Sequence, residues 1–189
     1  MSLDSHPDTF PDFIKKLHLI NLTTWGDFPT KAAAVLVLFV RVEQEWELLL
    51  TRRSKHVTHH RGQIGFPGGM RELQDLSPAA TALREYEEEL GAPGDRVHIL
   101  GCLNTERNID RLHVIPVVAI SLDPGAFFPA EAEVAEVLMT RVLELKNHRA
   151  FEFNVFGQWR ESDLFQTATA PIWGLTARIL KGAGFPDIL

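Results

Sequence analysis

Residues 68–92, GGMRELQDLSPAATALREYEEELGA, contain the residue types best suited to chemistry. Glu85, Glu88 and Glu89 stand three and four positions apart, so at about 100° per residue they share one face of a helix. Ala79, Ala82, Leu83, Tyr86 and Leu90 share another, apolar face. Like charges at these spacings destabilise an isolated helix by about 0.2–0.5 kcal/mol per pair, and a divalent cation would relieve that repulsion. Carboxylate oxygens suit Mg²⁺ or Mn²⁺, which bind through a few carboxylates together with waters and substrate phosphate oxygens. Such an ion neutralises a diphosphate and activates a water. Taken alone, an acidic helix face is more commonly solvated surface. Just upstream, Gly68 and Gly69 let the backbone turn tightly and come close to a ligand, so a phosphate-facing loop is expected beside the helix.

The supporting elements can be read from the same string. Ser77 is a good N-cap, Pro78 a good first helical residue and Gly91 a left-handed stop, which predicts a helix from Pro78 to Leu90. Ala33 to Arg41 is continuous, apolar and β-branched, and Trp46 to Thr51 follows a short polar stretch, the pattern of a hairpin with a buried first strand. Val97 to Asn104 and Leu112 to Ile120 read as strands joined by the polar loop 105–111, and Val134 to Thr140 and Phe151 to Phe156 as weaker ones. An amphipathic helix is expected over about 9–20, with Phe10, Phe13, Ile14, Leu17 and Ile20 on one face. A last helix, Ile172 to Leu180, is expected to open at Pro171. Strands mixed with a few helices predict an α/β sandwich.

Bulk properties narrow the function. The 189 residues, without internal repeat or long linker, suit one domain, 1–189, with its core over about 32–181. A net charge of −6 offers no basic field for a polyanion, so nucleic acid is not an expected partner. Cys102, the single cysteine, permits neither an internal disulfide nor a cysteine-based zinc site and suits a reducing, cytoplasmic setting. The apolar run 32–40 falls short of the roughly 18 residues of a membrane span, and the start lacks a signal-peptide pattern, so no membrane partner is expected. A homodimer is left open.

Gly69, five residues, Asp75, and then Arg84-Glu85-Tyr86-Glu87-Glu88-Glu89-Leu90-Gly91-Ala92 resemble the box of the Nudix hydrolases, G-x5-E-x7-R-E-U-x-E-E-x-G-U with U apolar. Asp75 stands where the first Glu is usual, eight residues rather than seven separate it from Arg84, and Tyr86 and Ala92 are unusual at the U positions. Upstream, Leu49-Leu50-Thr51-Arg52-Arg53-Ser54, His60 and Gly62-Gln63-Ile64-Gly65-Phe66-Pro67-Gly68-Gly69 resemble the extra signature of the coenzyme A diphosphatase branch, where the Asp and the additional residue are also habitual. Later matches at 116–118, 133–137 and 172–177 extend the resemblance over roughly residues 32–181. The chain departs from that branch at Asp110-Arg111-Leu112-His113, where a Ser/Thr-Gly-Phe group is frequent, and at Met139-Thr140-Arg141-Val142, where a proline is frequent.

The resemblance implies an α/β/α sandwich with a mixed sheet. It also implies metal-dependent hydrolysis of the diphosphate of coenzyme A or acyl-CoA, giving 3′,5′-ADP and 4′-phosphopantetheine or its acyl form. Glu85, Glu88 and Glu89 become metal ligands and Arg84 an orienting ion-pair partner. The general base is either a box glutamate, such as Glu88, or one from a later loop, Glu131 or Glu133, with Glu131 preferred. Gly68 and Gly69 face the substrate. Arg52 and Arg53, with Lys55 and Arg61 nearby, are candidates for a 3′-phosphate, the alternative being surface charge at a strand end. His56, His59 and His60 lack zinc-site spacing and are not expected to bind metal. Cys102, Phe156 and Trp173 read as core residues. Two other functions compete: a Nudix diphosphatase for another nucleoside diphosphate derivative, such as a nucleotide sugar, ADP-ribose or a dinucleotide, and a non-catalytic nucleotide-binding module. Modules of the latter kind lose box glutamates, which this chain keeps.

Overall fold

The longest apolar run becomes the central strand. In the computed structural model, which describes residues 10–26, 28–57, 60–155 and 157–189, Ala32–Val42 forms β1. Ala32, Ala34, Leu36, Leu38 and Val40 are buried on one of its faces, and Val37 and Phe39 on the other. Burial on both faces explains why the sequence here is continuous rather than alternating. β2 (Glu45–Arg53), β3 (Ile64–Gly65), β4 (Gly68–Met70), β5 (His98–Cys102), β6 (Glu106–Arg107), β7 (His113–Ser121) and β8 (Val134–Arg141) complete an eight-stranded sheet. Its main path runs β3-β2-β1-β7-β5, with β4 on β1, β6 on β7 and β8 on β2. The sheet is mixed: β1 runs parallel to β7, from Ala32 opposite His113 to Val40 opposite Ser121, and antiparallel to β2. A second sheet of three strands follows, β9 (His148–Val155), β10 (Gln158–Gln166) and β11 (Pro171–Trp173).

Helices cover both faces of the larger sheet. α1 (Asp12–Lys15) and α3 (Gly174–Gly182) pack with Val37, Phe39, Leu48 and Leu50, and α2 (Pro78–Leu90) packs with Ala34, Leu36, Ile115 and Val117 on the other side. This is the expected α/β/α sandwich. None of the helices among the described residues is long and apolar enough to cross a membrane.

Several elements differ from the sequence reading, among them β4 and β6, short strands that pair with β1 and β7 where loops were expected. The N-terminal helix is a single turn, because Ile20 exchanges two backbone hydrogen bonds of 2.8 Å with Cys102 and a helix through Ile20 would forbid them. Phe13, Ile14 and Leu17 are buried nonetheless. Pro171 does not open the last helix: Pro171–Trp173 pairs with Gln166 to Leu164 as an edge strand, where a missing N–H is tolerated, and the helix begins at Gly174. β10 went unseen because QWRESDLFQ is polar and mostly exposed over its first half, so it carries little apolar alternation. Phe156, the expected end of β9, lies outside the described residues. Trp173 is half exposed rather than core. It lines, with Arg149, Phe151, Phe153 and Leu164, a cleft of about 470 Å³ on the outer face of the small sheet.

Candidate active site

α2 has the expected ends. Ser77 Oγ accepts a hydrogen bond from the Ala80 N–H at 3.1 Å, Pro78 occupies the first turn, and Gly91 closes the helix at φ 60° with its N–H on the Glu87 carbonyl. Ala82, Tyr86 and Leu90 anchor the helix in the core, which turns Glu85 and Glu89 toward β4. Burial of Tyr86 pushes its phenol up to about 12, with the charge on Glu87 adding to the shift.

β4 meets these carboxylates with backbone alone. It pairs with Val35 to Ala33 of β1, and a Cβ on Gly68 would lie 2.6 Å from the Val35 Cα and strike the Ala34 carbonyl. With φ at +151°, Gly68 is thus glycine for two reasons. Its N–H donates to Glu89 Oε2 at 3.3 Å. A Cβ on Gly69 would occupy the place of the Glu85 carboxylate.

Arg84 organises the other side. It makes two hydrogen bonds to Asp75, Nε to Oδ1 at 3.2 Å and Nη2 to Oδ2 at 3.1 Å, and Nη2 also donates to the Met70 carbonyl at 2.9 Å. Its Nη1 lies 3.0 Å from Glu85 and 2.8 Å from Glu88. The hydrogen bond to Asp75 is the main reason its guanidinium is held still more firmly in the charged form. Asp75 is buried and also accepts from Thr81 Oγ at 2.8 Å and the Glu72 N–H at 2.9 Å. Burial works against its charge, but the bonds from Arg84, Glu72 and Thr81 outweigh that and lower its pKa. Asp75 is therefore a clamp on Arg84. In the sequence Asp75 is marked only as an acid in an unusual place; its burial against Arg84 is a property of the fold.

The carboxylate pair at the centre is short of positive charge. Glu89 is 3% exposed, and Arg53 Nη1 approaches its Oε1 only to 3.8 Å. Burial pushes Glu89 up to about 7, with Glu85 and Glu133 adding to the shift and Arg53 and the Gly68 N–H opposing it. Burial also raises Glu85; Arg84 opposes this, while Glu88 and Glu133 reinforce it. Arg53 Nε is buried without a partner among the described residues.

The remaining expected site residues are distributed as follows. Glu88 is well exposed and held by Arg84. Of the two loop glutamates, Glu131, the preferred one in the sequence, opens the turn 131–133, and Glu133, which closes it, adds its charge to the upward shift of both Glu85 and Glu89. The turn explains this: the Ala130 N–H binds the Glu89 carbonyl at 2.9 Å and the Ser54 N–H binds the Glu133 carbonyl at 2.7 Å, which carries position 133 to the centre. Arg52 is paired with Glu136 at 2.9 Å. His60 Nδ1 lies 3.0 Å from Gln63 Oε1, and His59 lies outside the described residues. Cys102 is buried, and burial lifts its thiol to about 11, partly offset by the Leu22 backbone.

A divalent cation fits this donor set. Among the described residues, no three His, Cys, Asp or Glu side chains already converge on one point, because Arg84 Nη1 lies between Glu85 and Glu88. The donors are nonetheless all oxygen, they project from one rigid helix, Glu89 is buried without full compensation, and Gly69 leaves its carboxylate neighbour room.

Comparison with known proteins agrees with this geometry. The NUDIX domain family matches residues 30–156. The Nudix hydrolase NudL of Yersinia enterocolitica, an uncharacterised protein, is 36% identical over 185 residues, covering 92% of this chain and 90% of its own. Its namesake from an Enterobacter species is 33% identical, with 95% of each chain covered. Among solved structures, a MutT/nudix family protein from Enterococcus faecalis has a TM-score of 0.54 at 16% identity, over 96% of this chain and 69% of that one. RenU, a Nudix hydrolase of M. smegmatis, has a TM-score of 0.51 at 22% identity, over 60% and 71%. The chain belongs to the Nudix family and is an enzyme that hydrolyses a phosphoanhydride. Enzymes of this family generally work with a divalent metal ion.

Proposed function

We propose that this enzyme cleaves the diphosphate linkage of coenzyme A or an acyl-CoA, releasing 3′,5′-ADP and 4′-phosphopantetheine or its acyl form. The observation that carries this reading is the meeting of the two halves of the upstream signature. Thr51 and Arg52 pair with Gly65 and Ile64, the chain then enters β4 at Gly68 and Gly69, and Arg53 points to Glu89. A signature separate from the box in sequence thus borders the same carboxylates.

Glu85, Glu88 and Glu89 are the proposed ligands of Mg²⁺ or Mn²⁺. When bound, the ion neutralises the diphosphate and acidifies a water. Arg84, clamped by Asp75, holds Glu85 and Glu88 in place. Gly68 and Gly69 present backbone where a side chain would exclude a phosphate. Arg53 offers a guanidinium to the diphosphate; its Nε has no partner among the described residues, whereas Arg52 is paired with Glu136, so Arg53 is the better placed of the two arginines. Glu133 takes the proton of the attacking water, the role first given to Glu131. The chain works as one domain, 1–189, in the cytoplasm, where its lone cysteine stays reduced.

The test is mass-resolved product analysis of the chain and a Glu88→Gln variant with Mg²⁺ or Mn²⁺. The panel is CoA, acetyl-CoA, ADP-ribose, nucleotide sugars and dinucleotides. Fastest release of 3′,5′-ADP from CoA, lost in the variant, supports the reading. Faster cleavage of another diphosphate removes the substrate and keeps the chemistry.

A further inference from the structure

A second recess lies on the same side of the sheet as α2. Asn21, Leu22, Thr23, Thr24, Trp25, Gly26, Phe28, Pro29 and His113 enclose about 470 Å³, a volume in the small-ligand range. Its chemistry differs from that of the cleft on the small sheet: rings line it and amide and hydroxyl groups edge it. Trp25 and Phe28 pack edge to face with centroids 6.2 Å apart, and Phe28 meets His113 in the same way at 6.1 Å. The Arg71 guanidinium lies 5.0 Å from the centroid of Trp25. The indole N–H of Trp25, a residue 2% exposed, has no acceptor among the described residues.

The recess is tied to the active site by strand pairing. Gly69 stands opposite Ala34, the Arg71 N–H binds the Ala32 carbonyl at 2.9 Å, and Ala32 stands opposite His113. At about 3.3 Å per residue along a strand and about 4.8 Å between strands, His113 is roughly 12 Å from Gly69, about the span of a nucleoside 5′-phosphate.

We infer that this recess binds the heteroaromatic base of the substrate's nucleoside, stacked on Phe28 and His113 with polar atoms toward Asn21, Thr23 and Thr24. The inference rests on the reading that the substrate is a nucleoside diphosphate derivative. Arg52 and Arg53 then lie beyond the carboxylates from the recess and meet the diphosphate rather than a 3′-phosphate.

The test is calorimetric titration of the Mg²⁺-loaded chain with ADP and with inorganic diphosphate. The chain binds ADP about tenfold or more tightly than diphosphate. Phe28→Leu and His113→Gln, which retain most of the side-chain volume, bring ADP down to the diphosphate level and leave diphosphate unchanged. Equal affinity of the unsubstituted chain for both ligands, or equal losses for both in the variants, overturns the inference. A readout independent of variants is the Trp25 indole N–H resonance, assigned with Trp25→Phe: it moves with ADP and adenosine and not with diphosphate. A resonance that ignores adenosine also overturns the inference. If the base-dependent binding holds while CoA is not cleaved, only the CoA substrate is lost. If CoA is cleaved and binding ignores the base, the recess alone loses its role.

Discussion

Gly69 and the Glu85 carboxylate approach so closely that one added carbon would take the carboxylate's place. Gly68 is crowded too, but by the Ala34 carbonyl and the Val35 backbone, which cannot swing aside. The two glycines should therefore fail differently. Gly69→Ala displaces a flexible side chain, folds, and raises the half-saturating cation concentration about tenfold. Gly68→Ala destabilises by about 3 kcal/mol, roughly 6–12 °C in melting temperature. Melting curves and metal titrations of both variants separate the two effects, and similar behaviour would contradict the close-approach geometry.

Asp75→Asn should cost about 3 kcal/mol, since it strips a buried partner from Arg84. Its pH signature is also defined. The folded pKa of Asp75 lies below 3.8, so its stabilisation is present above about pH 4 and is lost as pH falls from there through the lowered folded value. Unfolding free energies between pH 5 and pH 2 should fall more steeply in the unsubstituted chain than in Asp75→Asn. Parallel curves would remove Asp75 as the source.

Glu133→Gln should lower kcat by about 10²–10⁴, the usual contribution of a general base. Glu131→Gln should change it little. Steady-state rates at saturating cation decide between them, and the reverse order would return the role to Glu131.

Cation binding to the folded chain alone should stabilise it by about 2.7 kcal/mol at one hundred times Kd. A rise of roughly 5–10 °C in melting temperature is expected, lost in Glu85→Gln and Glu89→Gln. An undiminished rise in both variants would place the ion elsewhere.

Cys102 should be inert. It is buried, its thiol is raised to about 11, and its backbone is tied to Ile20. A thiol reagent at pH 8 should react with one group per chain only after denaturation. Fast reaction of the native chain would show that the pairing of residue 20 with β5 opens readily.

The helix that carries the carboxylates was readable to the residue because its determinants are local: Ser77, Pro78 and Gly91 act on their own backbone, and the 3.6-residue period aligns Glu85 with Glu89. The central strand was equally readable, since only a strand buried on both faces needs so continuous an apolar run. Family membership followed from short-range spacing of the same kind. Elements decided by distant partners were not readable. The first helix stopped at one turn because Ile20 found Cys102, Pro171 joined a sheet because β10 lay alongside, and β10 itself is polar in sequence. The site divides in the same way. The sequence supplied the acids and the paired glycines as residue types at fixed spacings. Tertiary structure decided that Asp75 clamps Arg84, that the charge on Glu133 reaches Glu85 and Glu89, and that Trp25, Phe28 and His113 share a recess. The last two depend on where segments far apart in the chain come together, and the clamp, though it spans only nine residues, depends on how the turn before α2 buries Asp75; no local propensity encodes either.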